Sequence, residues 1–283
     1  MSLTRIHHVA LVVADADRAL RFYRDLLGLP VAVDRVIEDQ GVRGVLLPMP
    51  GGDGASACEI EIIQPVRDDT GVAKFLDAQG EGLHHVCLQS SDVAADLRAA
   101  RDAGLRMIDE TPRDGLAGRI GFLHPKSNHG ILIEFAQPPA GAPHPPGRPA
   151  GPVGPAGLDH LVAAVHDPAA VAARFQQRFG FRETGALRQP ALNVESRLLD
   201  LGGSVLEFAA PIDSAASDPL TRRLDRGEGL FMVALGVGDV AAAVAHLRAA
   251  GVKCTDPAVI DGQPRSFLSP RPAHGVRLQL VGS

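Results

Sequence analysis

The sequence predicts an α+β protein made of four βαβββ units arranged as two domains, and three observations predict it. The first is a duplication within the 283 residues: "EGLHHVCLQSSDVAADLRAARDAGL" (81–105) aligns without gaps to "EGLFMVALGVGDVAAAVAHLRAAGV" (228–252). "HPKSNHGILIEFA" (124–136) aligns to "SPRPAHGVRLQLV" (269–281), "IEIIQP" (60–65) to "LEFAAP" (206–211), and "IHHVALVV" (6–13) to "LDHLVAAV" (158–165). The second is a strand-then-helix order repeated inside each half. The third is a Pro, Gly and Ala-rich interruption between the halves, which can hold neither a helix nor a central strand. It reads as a stiff extended linker over 138–156, dividing a domain at 1–137 from one at 157–283.

Each element has a local reason. "IHHVALVV" and "LHHVCLQ" are short apolar strands, and each precedes an amphipathic helix. Asp15 and Ser91 are the expected N-caps, and Gly28 and Gly104 the expected stops. Leu20, Tyr23 and Leu27 form the apolar stripe of the first helix; Val93, Leu97 and Ala100 form that of the second. Asp167-Pro168 and Asp239 open the matching helices of the second half. The β-type segments "GVRGVLLPM", "ACEIEIIQP", "GRIGFLHP" and "GILIEFA" complete the units.

Composition excludes several classes. Hydrophobic content of 45% and charge of 22% are those of a globular chain, and a net charge of −5 with mixed signs gives no nucleic-acid or anionic-membrane footprint. No apolar run approaches membrane-spanning length, and "MSLTRIHHVA" has no secretory pattern. Three widely spaced cysteines (Cys58, Cys87, Cys254) fit a reducing cytoplasm, the expected location.

The chemistry lies in the double histidines His7-His8 and His84-His85 and in the strand carboxylates Glu61 and Glu134. Strand side chains alternate faces, so one histidine of each pair faces inward. A carboxylate among β-branched neighbours needs a partner or a metal. Four such groups from four strands make an N/O site for one divalent ion of the Zn, Co, Ni, Mn or Fe type.

The stretches "IHHVALVVADADRALRFYRDLLGLPV", "EDQGVRGVLLP", "EIEIIQP", "TGVAKFLDAQGEGLHHVCLQSSDV" and "IDETPRDGLAGRIGFLHPKSNHGILIEF" resemble methylmalonyl-CoA epimerases over essentially all of residues 4–136. These belong to the vicinal-oxygen-chelate (glyoxalase/bleomycin-resistance) superfamily. The resemblance implies two domains with curved mixed sheets and a metal-dependent isomerase or epimerase. Such an enzyme moves a proton at the carbon α to the carbonyl of an acyl-CoA or other vicinal-oxygen substrate. By position it implies metal ligands His8, Glu61, His85 and Glu134, leaving His7 and His84 on the opposite face. Glu134 is the first candidate for acid/base work and Glu61 the candidate for the opposite face of the substrate. Cys87 shares the face of His85, while Lys126 and Ser127 of "HPKS" are candidates for contact with an anionic substrate; Glu59, Arg43 and Arg119 are weaker ones. The sequence departs from the family at Gly44, where some epimerases carry an acid/base glutamate.

In the second half the ligand positions hold His160, Glu207, Met232 and Gln279. Thioether and amide are poor replacements for imidazole and carboxylate at a borderline ion, so this domain is expected to serve as an internal partner without metal. The chain is then a fused pseudo-dimer, acting as a monomer or a homodimer of fused chains. Three alternatives stay open: a glyoxalase I-type lyase, an extradiol ring-cleaving dioxygenase, and a metabolite- or drug-binding resistance protein. The "AKFL" and "HPKS" stretches favour the epimerase branch over the first. A complete N-terminal quartet, with a fourth ligand, argues against the other two.

Overall fold

A computed structural model describes residues 1–49, 51–52, 57–139, 151–215 and 217–282. The first half runs β1 (Leu3–Val12), α1 (Ala16–Leu20), β2 (Val33–Ile37), β3 (Val42–Met49), β4 (Cys58–Pro65), α2 (Gly71–Gln79), β5 (Gly82–Ser90), α3 (Val93–Asp102), β6 (Arg113–Gly115), β7 (Gly118–Leu123) and β8 (Leu132–Gln137). The second half runs β9 (Gly157–Ala164), α4 (Pro168–Phe179), β10 (Arg182–Gln189), β11 (Val194–Leu201), β12 (Ser204–Pro211), α5 (Pro219–Leu224), β13 (Gly229–Val237), α6 (Val240–Ala249), β14 (Ala258–Ile260), β15 (Gln263–Leu268) and β16 (Arg277–Gly282). Each half forms one mixed eight-stranded sheet. The orders are β2-β3-β4-β1-β5-β8-β7-β6 and β10-β11-β12-β9-β13-β16-β15-β14, so the duplication in sequence is a duplication in topology. Four βαβββ units are present, and α2 and α5 join the paired units within each half.

The helix caps follow the expected chemistry with one correction. Asp15, Asp167 and Asp239 each accept from the backbone N–H three residues on. In α3 the cap is Asp92, not Ser91: its carboxylate accepts from Ala95 N at 2.9 Å. The side chain must sit three residues before the N–H that it satisfies, and Asp92 has that spacing. Helix α1 is also shorter than its pattern suggests. Arg21–Leu26 form a π-helical segment, with Leu27 N donating to Phe22 O at 2.9 Å. That added residue per turn lets both Phe22 and Tyr23 bury, where an α-helical stripe accounts for Tyr23 alone.

Of the expected linker, residues 140–150 lie outside the described residues. Its remainder is not extended throughout. Residues 151–153 form a turn, Val153 is buried, and Ala156 N donates to Gly236 O at 2.8 Å. Among the described residues no helix is long and apolar enough to cross a membrane.

The chain resolves into two compact units, and each takes one βαβββ unit from either half. Residues 8–84, 142–159 and 232–283 form one; residues 1–7, 85–141 and 160–231 form the other. In the first, the His274-Gly275 turn docks on Glu81-Gly82. His274 Nδ1 lies 2.9 Å from Glu81 Oε2, and the other oxygen of Glu81 accepts from Ala14 N at 3.0 Å. Tyr23, fully buried, donates its hydroxyl to Ala273 O at 3.0 Å. The second unit repeats this arrangement. His129 Nδ1 lies 2.8 Å from Glu228 Oε2, and Glu228 Oε1 accepts from His166 N at 2.8 Å. His129 and His274 both have φ of 54°, and Gly130 and Gly275 follow with φ of 73° and 80°. A Cβ on either glycine would overlap the carbonyl oxygen of Glu228 or Glu81.

Candidate metal centre and substrate face

Four strands place the four expected ligands. In β1, His8, Ala10 and Val12 share a face, and the parallel register with β4 pairs Ala10 with Glu61. His8 Nε2 lies 3.2 Å from Glu61 Oε2. In β5, His85 and Cys87 share a face, and the parallel register with β8 pairs Cys87 with Glu134. His85 Nε2 lies 3.0 Å from Glu134 Oε2. All four are buried, one His–Glu pair in each compact unit.

This donor set fits a divalent ion. Two buried carboxylates need compensating positive charge or donors, because burying them unpaired is costly. A dication balances them, and two nitrogens with two oxygens are the donors of a borderline metal. The expected single inward histidine needs one qualification. His7, assigned to the opposite face, has a ring nitrogen within 4.8 Å of the Cys87 Sγ. His84 stacks edge-on against Phe75, with ring centroids 4.8 Å apart.

Beyond the ligands, the same strand faces turn apolar. Ala10 and Val12 of β1 pack with Val42 and Ile63, flanked by Phe75 and Leu76. Cys87 packs with Ala117, Ile120 and Ala136, flanked by Phe122. Each His–Glu pair therefore opens onto a dry wall able to shield a reacting carbon from water.

The other expected contacts are placed differently. Arg43 donates to Asp34 at 2.8 Å and to Asp17 at 2.9 Å; these hydrogen bonds to both carboxylates raise its pKa further and hold it as a structural cation. Ser127 accepts from Arg106 N at 2.8 Å through its hydroxyl, and its carbonyl accepts from Arg178. Lys126 is exposed on a short turn beside it, and Arg119 is exposed near Asp114. Glu59 is half-buried and directly across the ladder from His8. Gly44 lies opposite Ile63 and leaves that position without a proton-transfer group.

In the second half His160 Nε2 lies 3.4 Å from Glu207 Oε2, reproducing the geometry of the His8–Glu61 pair. Met232 is half-buried, and the side-chain oxygen of Gln279 is buried without a hydrogen-bond partner among the described residues.

Comparison with known proteins agrees with this architecture. Residues 7–122 match the glyoxalase/bleomycin resistance protein/dioxygenase superfamily, and residues 158–279 match a glyoxalase-like domain. The N-terminal half is 32% identical over 136 residues to the ethylmalonyl-CoA/methylmalonyl-CoA epimerase of Cereibacter sphaeroides, covering 47% of this chain and 97% of that protein. It is 31% identical over 134 residues to the lactoylglutathione lyase of Haemophilus influenzae, covering 47% of this chain and 92% of that protein. A variant of 4-hydroxymandelate synthase from Streptomyces coelicolor aligns with the full chain and 93% of its own, with a TM-score of 0.69 at 18% identity, a likeness of fold. Two mixed sheets carrying buried His–Glu pairs agree with these matches, and the chain belongs to the glyoxalase/bleomycin resistance protein/dioxygenase superfamily. Its N-terminal half is a relative of the methylmalonyl-CoA epimerases, and its relatives are enzymes.

Proposed function

We propose that the N-terminal half is a divalent-metal-dependent epimerase or isomerase. It transfers a proton at the carbon α to the carbonyl of a methylmalonyl-CoA-like thioester. The observation that carries this reading is the two buried pairs His8–Glu61 and His85–Glu134, at 3.2 and 3.0 Å. Its position in a half that aligns to 97% of an acyl-CoA epimerase supports the substrate class.

His8, Glu61, His85 and Glu134 would hold the ion. When bound, the ion supplies electrophilic stabilisation to the enolate created by loss of the α-proton. Glu134 accepts that proton. Its carboxylate is already at 3.0 Å from His85, so rotation toward the substrate exchanges one partner for another. Glu61, from β4, would take a proton from solvent and deliver it to the opposite face, a task Gly44 cannot perform, while Glu134 releases the abstracted proton to solvent. The apolar faces around Ala10, Ile63, Cys87 and Ile120 exclude water from the carbanionic intermediate.

The test is deuterium exchange at C2 of methylmalonyl-CoA in D₂O with Co²⁺ supplied. Exchange by the wild type, lost in His85→Ala and Glu134→Gln, is the expected result. A wild type that incorporates no deuterium overturns the epimerase reading. The likeness to lactoylglutathione lyase supports a second reading, tested by turnover of the methylglyoxal–glutathione hemithioacetal.

A further inference from the structure

We propose that Arg113 recognises an anionic oxygen group of the substrate, a carboxylate or a phosphate, at the His85–Glu134 face. The inference rests on the functional reading only in taking that face as a substrate site.

Arg113 lies on the edge strand β6 and pairs with Ile120 of β7. Paired strand residues share a face, and alternation puts Phe122 on the face of Ile120. Phe122 in turn pairs with Glu134. The Arg113 side chain therefore leaves the sheet edge on the metal-ligand side. Its guanidinium carbon lies 5.5 Å from the centre of the Phe122 ring. That ring meets His85 edge-on, with centroids 5.1 Å apart and planes at 89°. Arg113, Phe122, His85 and Glu134 thus form a continuous row from the edge strand to the ligands.

The guanidinium is held at two sides. One face rests on Phe122, where the cation meets the ring's negative face. Its Nε points to Asp109, at 3.3 and 3.4 Å from the two carboxylate oxygens. Asp109 is itself fixed, because Oδ2 accepts from Phe122 N at 3.0 Å. One donor is left unsatisfied: Nη1 is shielded from solvent and has no hydrogen-bond partner among the described residues. The side chain as a whole is 38% exposed, so the guanidinium can meet a ligand from solvent, and its planar fork fits a carboxylate or phosphate edge. Arg119, one strand over, has no comparable arrangement: it is exposed, donates to Pro112 O and sits near Asp114.

The experiment is calorimetric titration of the full-length wild type, Arg113→Gln and Arg113→Lys with two probes. Malonyl-pantetheine carries the acyl carboxylate and no phosphate; acetyl-CoA carries the phosphates and no acyl carboxylate. At least tenfold weaker binding of either probe to Arg113→Gln, with partial recovery in Arg113→Lys, is expected, and the affected probe identifies the group recognised. Wild-type affinities kept by Arg113→Gln for both probes, or no wild-type binding of either, overturn the proposal. If Arg113→Gln fails to fold, Arg113→Lys carries the comparison. Deuterium exchange by the wild type is read separately. Its absence removes the epimerase assignment and leaves an Arg113-dependent binding difference standing.

Discussion

Replacing Gly275 by alanine tests the docking of the His274-Gly275 turn on Glu81-Gly82, and Gly104→Ala isolates the relevant cost. The two glycines have nearly the same backbone, φ of 80° at Gly275 and 76° at Gly104. A Cβ at Gly104 would meet nothing within 4 Å, whereas one at Gly275 would overlap the Glu81 carbonyl oxygen. Both variants bear the left-handed penalty of about 1–2 kcal/mol for an L-residue. Gly275→Ala must also displace the turn and break the His274–Glu81 contact of 2.9 Å. A hydrogen bond to a charged group contributes about 1.5–3 kcal/mol. The expected loss is then about 2.5–5 kcal/mol for Gly275→Ala against about 1–2 kcal/mol for Gly104→Ala. At roughly 2–4 °C per kcal/mol for a chain of this order of size, Gly275→Ala lowers Tm by about 5–20 °C, and Gly104→Ala by about 2–8 °C. Differential scanning calorimetry of both variants at one pH reads the difference. Equal shifts would refute the docking argument, since only the overlap separates the two sites.

Two further outcomes follow from the same contacts. Burial pushes the Glu228 carboxyl up, but the His166 N–H and the His129 ring outweigh it and hold its pKa below the usual value. A depressed carboxylate stabilises the fold above its unfolded pKa of about 4.3 and loses that contribution as pH falls through the folded value. Denaturant midpoints should therefore fall more steeply with acid below about pH 4.3 in the wild type than in Glu228→Gln; parallel curves would contradict this assignment. Tyr23→Phe removes one of the two donors to the buried Ala273 carbonyl, which keeps Val276 N at 3.1 Å, a loss of about 0.5–1.5 kcal/mol. The urea midpoint should fall with an unchanged slope, and an unchanged midpoint would show that this bond contributes nothing.

Much of this architecture is legible in the residues because repetition exposes it. The gapless match of 81–105 to 228–252 predicts two copies of one sheet, and both copies have the same strand order. Period-two alternation brings His8, Glu61, His85 and Glu134 to faces that carry buried His–Glu pairs. What escapes is what depends on distant partners. Glu81 and His274 are 193 positions apart, and strand periodicity says nothing about their meeting. A signal existed nonetheless: "EGL" and "HG" occur in both halves although the second half has lost two ligand types. Residues retained while the chemistry changes serve the docking of one half on the other. Arg113 escaped for a related reason. In "DETPRDG" it reads as a turn cation, and only the β6–β7 register turns it onto Phe122.

Metal content per chain tests the central claim most directly, namely that one ion is held by the N-terminal quartet. Full-length wild type, His8→Ala, His85→Ala and a His160→Ala/Glu207→Gln double variant would be loaded with Co²⁺, desalted and assayed by elemental analysis. A single N-terminal site predicts stoichiometry close to one for the wild type and the double variant, and near zero for His8→Ala and His85→Ala. Two ions per wild-type chain, or full retention by His85→Ala, would contradict it.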